Sequence, residues 1–321
     1  MLDQETYDRQ IEFAYSLEEK GTPKEDARTS ACMIYIIIHH LMPSKIEAQR
    51  GIARTFPGFT YLREATYTCG GITNTVQECR HDLTGIEMNL IPAGKFLMGF
   101  GEEDVEMLKR EEKIYKLADD AIPAHPVQLS AFFIGKYPMK QSQWEQVMGN
   151  NPSKYKGPGQ PVERVNWKDA LKFCKKSGLN LPTEAEWEYA CRAGTSTRFY
   201  WGQDPQEKEV EKYCWCFSNS DFKTHPVGQK EPNAFGLYDM SGNIWEWCYD
   251  CGLYPNTELL NPILRKRRKC ELFRGGSFDD SSWFLTSAFR GLAKPSYREC
   301  TLGLRVAFEL FWEFVQHGYE K

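Results

Sequence analysis

No run of residues is apolar for long enough to cross a bilayer as a helix. The most apolar stretch, ACMIYIIIHHLM at 31–42, falls short of the roughly 20 residues a span needs and stands too far from the start for an export signal. An exported form of this chain would therefore be the part left after processing. Neither sign of charge dominates. The formal net charge of -4 gives no global field to draw in nucleic acid or an anionic membrane. RKRRK at 265–269 has no aromatic residue interleaved to stack a base, so it reads as a solvated loop or strand edge. Histidine is scarce, at six, and no spaced histidine cluster is present. His39 and His40 close the apolar stretch, where packing or a helix C-terminal dipole accounts for them better than a metal does. Eleven cysteines are an odd number, which excludes a complete set of internal disulfides. Of CWC at 214–216 and CYDC at 248–251, only the second has the gap usual between zinc ligands, and buried thiols are the competing reading.

What the chain does have is core material. At 321 residues, 41% hydrophobic and 14% aromatic, it can bury one large domain and a smaller one. Residues 1–65 read as helical: a helix over 3–19, a second opened by Thr22, Pro23 and Glu25 and stopped by Pro43, and a third opened by the capping box SKIE at 44–47. This part is a small helical subdomain or an arm. From about residue 66 the texture changes to short strands, turns and tryptophans. IPAGKFLMG (91–99) and the 125–139 stretch are strand-like; SQWEQVMG (142–149), NWKDALKFCKKSG (166–178) and TEAEWEYACRAG (183–194) are capped amphipathic helices. Short strands are expected around Leu237, Trp245, Phe273 and Arg305, with long loops pinned by aromatic packing.

Five motifs in order carry a resemblance. IPAGKFLMG, VNWKDALKFCKKSGLNLPTEAEWEYACRAGT, PNAFGLYDMSGNIWEWCYD, FRGGSF and LGLRVAF resemble the formylglycine-generating-enzyme or sulfatase-modifying-factor domain over about two thirds of the chain. The resemblance implies an α+β, C-type-lectin fold over residues 66–310: a small twisted antiparallel sheet, two helices and long loops, preceded by the helical region and followed by a tail, 311–321. It also implies an oxidase that holds copper on two cysteines in the segment after RGGS. The matched positions are Asp280 and Leu285, and neither supplies a thiolate. Cys270 and Cys300 flank the segment outside the matched spacing. The expectation is therefore a chain without that activity, without cofactor and without a catalytic residue.

The segment 274–306 resembles something else in the same fold, the variable region of proteins that diversity-generating retroelements mutate at template adenines. RGGS, Trp283, LTSA, Arg290, Pro295, Arg298 and LGLRV look fixed. Phe278, Asp279, Asp280, Phe284, Phe289, Gly291, Leu292, Ala293, Lys294, Tyr297, Glu299 and Cys300 look substituted, because they follow neither the helix nor the strand period. Lys294 and Glu299 depart from that pattern, since an asparagine template codon does not reach them. A scaffold tolerates arbitrary side chains only where they are exposed and the backbone is fixed otherwise. The aromatic members Phe278, Phe284, Phe289 and Tyr297 are thus expected to anchor an unidentified macromolecular or small ligand on one solvent-facing surface. A plain core role is the competing reading. The resemblance places such a protein at a cell surface, in one form as a processed lipoprotein.

Other readings stay open. EPN at 231–233 is a tripeptide of calcium-dependent lectins, but its partner acidic motif is missing. Asp239, Asn243 and Glu246 offer oxygens for a structural calcium, against a metal-free hydrogen-bonded turn. The rivals to a binding protein are an enzyme using the fold differently, such as a relative of the iron-dependent sulfoxide synthases, and an interaction module whose active surface is the helical region.

Overall fold

The computed structural model describes residues 4–19, 32–33, 35–36, 46–110, 119–204, 206–253, 257–264 and 270–310. Thr22, Pro23, Glu25, His39, His40, Pro43, Ser44, the basic run 265–269 and the tail 311–321 lie outside the described residues. In chain order the elements are α1 (Gln4–Glu19), α2 (Ile46–Thr55), β1 (Phe59–Cys69), β2 (Ile72–His81), β3 (Glu87–Ile91), β4 (Gly94–Met98) and α3 (Glu102–Arg110). Next come β5 (His125–Leu129), β6 (Phe132–Gly135), α4 (Gln141–Met148), α5 (Trp167–Ser177), α6 (Glu184–Arg192) and α7 (Val210–Tyr213). The last are β7 (Trp245–Trp247), β8 (Leu259–Leu260), β9 (Glu271–Arg274), β10 (Arg290–Ala293), β11 (Leu302–Gly303) and β12 (Ala307–Glu309).

The architecture is mixed α+β, and among the described residues it has three sheets, ordered β1-β2-β3-β6-β12, β10-β9-β7-β11 and β4-β5-β8. The largest sheet is longer than the sequence suggested and starts at Phe59, not near residue 66. Its β1 and β2 pair from Phe59↔His81 to Cys69↔Ile72 around Gly70 and Gly71, whose φ values of 58° and 77° make the tight turn. Thr66 faces Thr75 and Thr68 faces Thr73 with hydroxyl hydrogen bonds of 3.0 and 2.8 Å, a polar outer row that hid the strand pattern.

The first helices do not form a separate body. Tyr7, Ile11, Tyr35 and Ile52 share one core with Phe59, Phe133 and the helix residues Trp144 and Phe173. Phe59 stacks on Phe133 at 4.6 Å, and Phe56 meets both rings edge-on.

Helix punctuation is local chemistry. Asn166 caps α5 by accepting from Asp169 N at 2.8 Å, and Thr183 with Glu186 forms a reciprocal box on α6. At α4 the cap is Lys140 rather than Ser142: Gln143 Oε1 accepts from Lys140 N, and Ser142 lies inside the helix. Leu237 is not in a strand, because its N–H donates to the Asn233 side chain and cannot join a ladder.

Every residue of α6 is buried, charged ones included. Arg274 at the end of β9 answers them. Its guanidinium lies 2.6 Å from Glu188 and 3.0 Å from Glu184, and donates to the carbonyls of Ser287 and Phe289. Arg290 takes the second oxygen of Glu184 at 2.8 Å and donates to the carbonyls of Gly252 and Asp120. Arg192 binds Glu188 at 2.8 Å and the Gly99 carbonyl at 2.9 Å. Removing one partner of such a pair strands a buried charge, so Arg274→Leu should cost about 3–5 kcal/mol. Urea unfolding at unchanged m-value measures that loss; a shift of the size a surface substitution gives would contradict this account.

Candidate binding face

The segment from Arg274 leaves the buried ion cluster and re-enters the core at Leu302 to Leu304 and Arg305. Arg305 donates to Glu246 Oε2 at 3.0 Å and to the carbonyls of Gly135 and Tyr238 at 2.7 Å each, while Trp187 Nε1 donates to the same Glu246 oxygen at 2.7 Å. Arg298 is exposed, yet it holds Asp169 at 2.6 Å and the Arg164 carbonyl. Trp283 is half-buried with the Arg198 guanidinium 4.0 Å above its ring. The fixed-looking letters are thus the ones that tie the segment down.

The letters between them divide. Asp279, Leu292, Lys294, Tyr297 and Glu299 are exposed; Asp280, Phe284, Gly291, Ala293 and Cys300 are half-buried. Phe278 and Phe289 are core residues, only 2% and 4% exposed, which corrects the expectation that they are displayed. The cause is backbone bonding. Phe278 N donates to the Asn243 carbonyl and Phe278 O accepts from Ser220 Oγ, which leaves its ring an inward path against Tyr155. The Phe289 carbonyl is held by Arg274, so its ring packs with Phe284 and Trp245. Gly291 is also misassigned as a free position: a Cβ there would stand 2.0 Å from the Phe273 ring, itself wedged against Trp245 and Trp247.

Asp280 and Leu285 hold the two positions matched to cysteines. Leu285 is wholly buried. The Asp280 carboxylate accepts from Trp245 Nε1 at 2.8 Å and from the N–H and hydroxyl of Ser277, while burial pushes its carboxyl upward. Among the described residues no group of three or more His, Cys, Asp or Glu side chains is placed to hold a metal. Asp239 accepts from Gly228 N, Asn243 binds the backbone of His225 at both ends, and Glu246 is taken by Arg305 and Trp187, so these oxygens serve a protein turn. Asn233 of the EPN tripeptide caps the end of α6 through the carbonyls of Ala190 and Cys191. Nine of the eleven cysteines are buried. Cys248 is pushed well up by burial, whereas a hydrogen bond from Cys214 brings Cys216 down to about 6.

Three neighbours of the segment carry no signal in the sequence. Tyr155 meets Phe278 edge-on at 5.6 Å and donates to the Phe222 carbonyl at 3.0 Å. Phe217 N donates to the Asp280 carbonyl at 3.0 Å. Glu163 is fully buried; one oxygen accepts from Tyr155 N at 2.8 Å, and the other has no hydrogen-bond partner among the described residues. Burial raises its carboxyl to about 7.

Residues 73–310 match the model of the sulfatase-modifying factor enzyme 1-like domain. The chain belongs to that family. It is 32% identical over 197 residues to the chaperone protein LppX of Paenibacillus barcinonensis, covering 44% of this chain and 70% of the relative. It is 35% identical over 185 residues to the bovine formylglycine-generating enzyme, covering 53% of this chain and 50% of that enzyme, so it spans about half the enzyme's length. Among solved structures, Treponema denticola variable protein 1 superposes with a TM-score of 0.60 at 28% identity, over 77% of this chain and 99% of that one. PvdO from Pseudomonas aeruginosa gives the same score and identity over 71% and 95%.

Two outcomes follow for this member of the family. Phe278→Ala should destabilise by about 3–5 kcal/mol, and Tyr297→Ala by about 0.5 kcal/mol or less. Paired denaturation curves check this, and equal losses would contradict the division. For Glu163 the raised folded pKa means that stability is full below about 4.5 and is lost as pH rises through about 7. Glu163→Gln keeps the neutral form, so its melting temperature relative to wild type should rise between pH 5 and pH 8; parallel profiles would contradict the assignment.

Proposed function

We propose that this chain is a non-enzymatic binding protein with a C-type-lectin type of scaffold, whose C-terminal segment is diversified by a retroelement and displays a ligand-binding face at a cell surface. The observation that carries the reading is the replacement of both thiol positions, by Asp280 hydrogen-bonded to Trp245 and by the buried Leu285. A side chain without sulfur cannot act as a soft, redox-active ligand, so the family's copper chemistry has no ligands at those positions. The likeness to a variable protein over nearly its whole length supports the same reading.

The face consists of Asp279, Leu292, Lys294 and Tyr297, with the half-buried Asp280, Phe284, Ala293 and Cys300 at its floor. Arg274 holds its Ser287 and Phe289 carbonyls, and Arg290 and Arg305 tie the segment to the carbonyls of Gly252 and Gly135, contacts that ask nothing of the displayed side chains. Exchange at the exposed positions alters a surface and leaves the packing alone. No cofactor enters this reading.

Incubating the chain with copper and a cysteine-containing sulfatase peptide should yield no aldehyde above a blank. Replacing Asp279, Leu292, Lys294 and Tyr297 together by alanine should leave the melting temperature within about 2 °C of wild type. Aldehyde formation abolished by Cys270→Ser or Cys300→Ser would refute the first part, and unfolding of the fourfold variant the second.

A further inference from the structure

Beside the face, and outside the segment, the loop after α7 presents Phe217 and Phe222 to solvent. Their rings meet edge-to-face at 5.1 Å, and they are 55% and 57% exposed. The pair is not loosely held. Asn219 binds the backbone of Cys214 and Cys216, Ser220 Oγ accepts from Phe222 N, the Phe222 carbonyl accepts from Tyr155, and Phe217 N is tied to Asp280. Asp221 and Phe222 both sit in the left-handed region, at φ 53° and 55°. Two successive residues with side chains rarely adopt that conformation, and a bulky ring there is strained. The fold therefore accepts a backbone cost that points a large apolar pair at water, the reverse of what stability alone selects.

The charges around the pair say what fits it. Asp221 is 82% exposed at its side chain, and Asp279 is exposed on the strip that runs between Phe217 and Ser220. Lys223 lies 3.7 Å from Asp221, which partly neutralises that acid and leaves Asp279 as the principal anion.

We propose that the Phe217–Phe222 corner, with Asp221 and Asp279, is a docking point for an arginine side chain on a protein partner. A guanidinium stacks flat on a phenyl ring, its alkyl stem covers the second ring, and its edge donates to a carboxylate. A lysine fits less well, because a compact ammonium cannot stack and donate in one plane. The inference rests on the binding-protein reading for its partner, but its site is carried by framework residues and only one residue of the segment.

The probe is the peptide Ac-Gly-Arg-Gly-NH2, with its neutral citrulline analogue as control, titrated into the whole chain labelled for amide NMR. The arginine peptide should shift the amides of residues 217–223 and Asp279 to saturation, and the citrulline peptide should not. Phe222→Gly should abolish saturation while raising the melting temperature by about 2 °C, since glycine removes the left-handed strain. Asp279→Asn should weaken the response without moving the melting temperature. Replacing Leu292, Lys294 and Tyr297 by alanine should leave the response intact, so the corner is tested apart from the rest of the face. Equal shifts with the citrulline peptide, retained binding in Phe222→Gly, or a lowered melting temperature in that variant would each overturn the proposal. So would a response only to a methyl glycoside, or self-association abolished by Phe217→Ala, which would assign the corner to a sugar or to a second copy.

Discussion

Arg274 is the point on which the rest of the structure depends. Helix α6 is buried on all sides, so Glu184 and Glu188 cannot find water, and a guanidinium from β9 supplies the countercharge between them. The geometry is demanding because the ions are desolvated, and it is met because each carboxylate oxygen of Glu184 and Glu188 accepts from an arginine. Arg290 and Arg192 extend the same cluster to β10 and to the end of β4. Helix, sheet and segment are positioned relative to one another through these few contacts.

That arrangement separates two jobs. The segment is held from below by Arg274, set by α6, which takes its Ser287 and Phe289 carbonyls, and by its own Arg305, which reaches Glu246 and the Gly135 carbonyl. Exposed side chains above have no part in that holding. Such a division fits a surface that changes while its support does not, and it explains why Phe278, Phe289 and Gly291 belong to the support: each touches the framework on a side where volume cannot change.

Much of this was legible in the sequence. Asn166, Thr183 and Gly178 announce their helices because capping is local chemistry, and the ordered motifs announce the family. The division of the segment into held and displayed letters was legible only in part. Arginine and tryptophan signal anchoring by residue type, but a phenylalanine at an irregular position reads the same whether it faces Tyr155 or water. What decides between them is a hydrogen bond from Ser220, which is distant in sequence. The length of β1 and β2 was missed because threonine pairs replace the apolar alternation on the outer face. The corner at Phe217 and Phe222 was invisible for a similar reason, since left-handed backbone at non-glycine residues leaves no trace in composition.

The path of the final segment has a consequence for synthesis. β10 and β11 complete one sheet, Arg305 fills the interior, and β12 closes the edge of the largest sheet beside β6. Strands laid down early, such as β6, therefore wait for a neighbour translated some 170 residues later, as the Arg305 to Gly135 hydrogen bond records. Until the ribosome releases that stretch, Glu246 lacks its arginine and the edge of β6 its ladder partner, and the nascent chain carries a buried acid without countercharge and an open ladder. A nonsense codon between β9 and β12 would thus yield a product for the proteolytic machinery, because Leu302, Leu304, Arg305, Val306 and Ala307 are among the deepest residues.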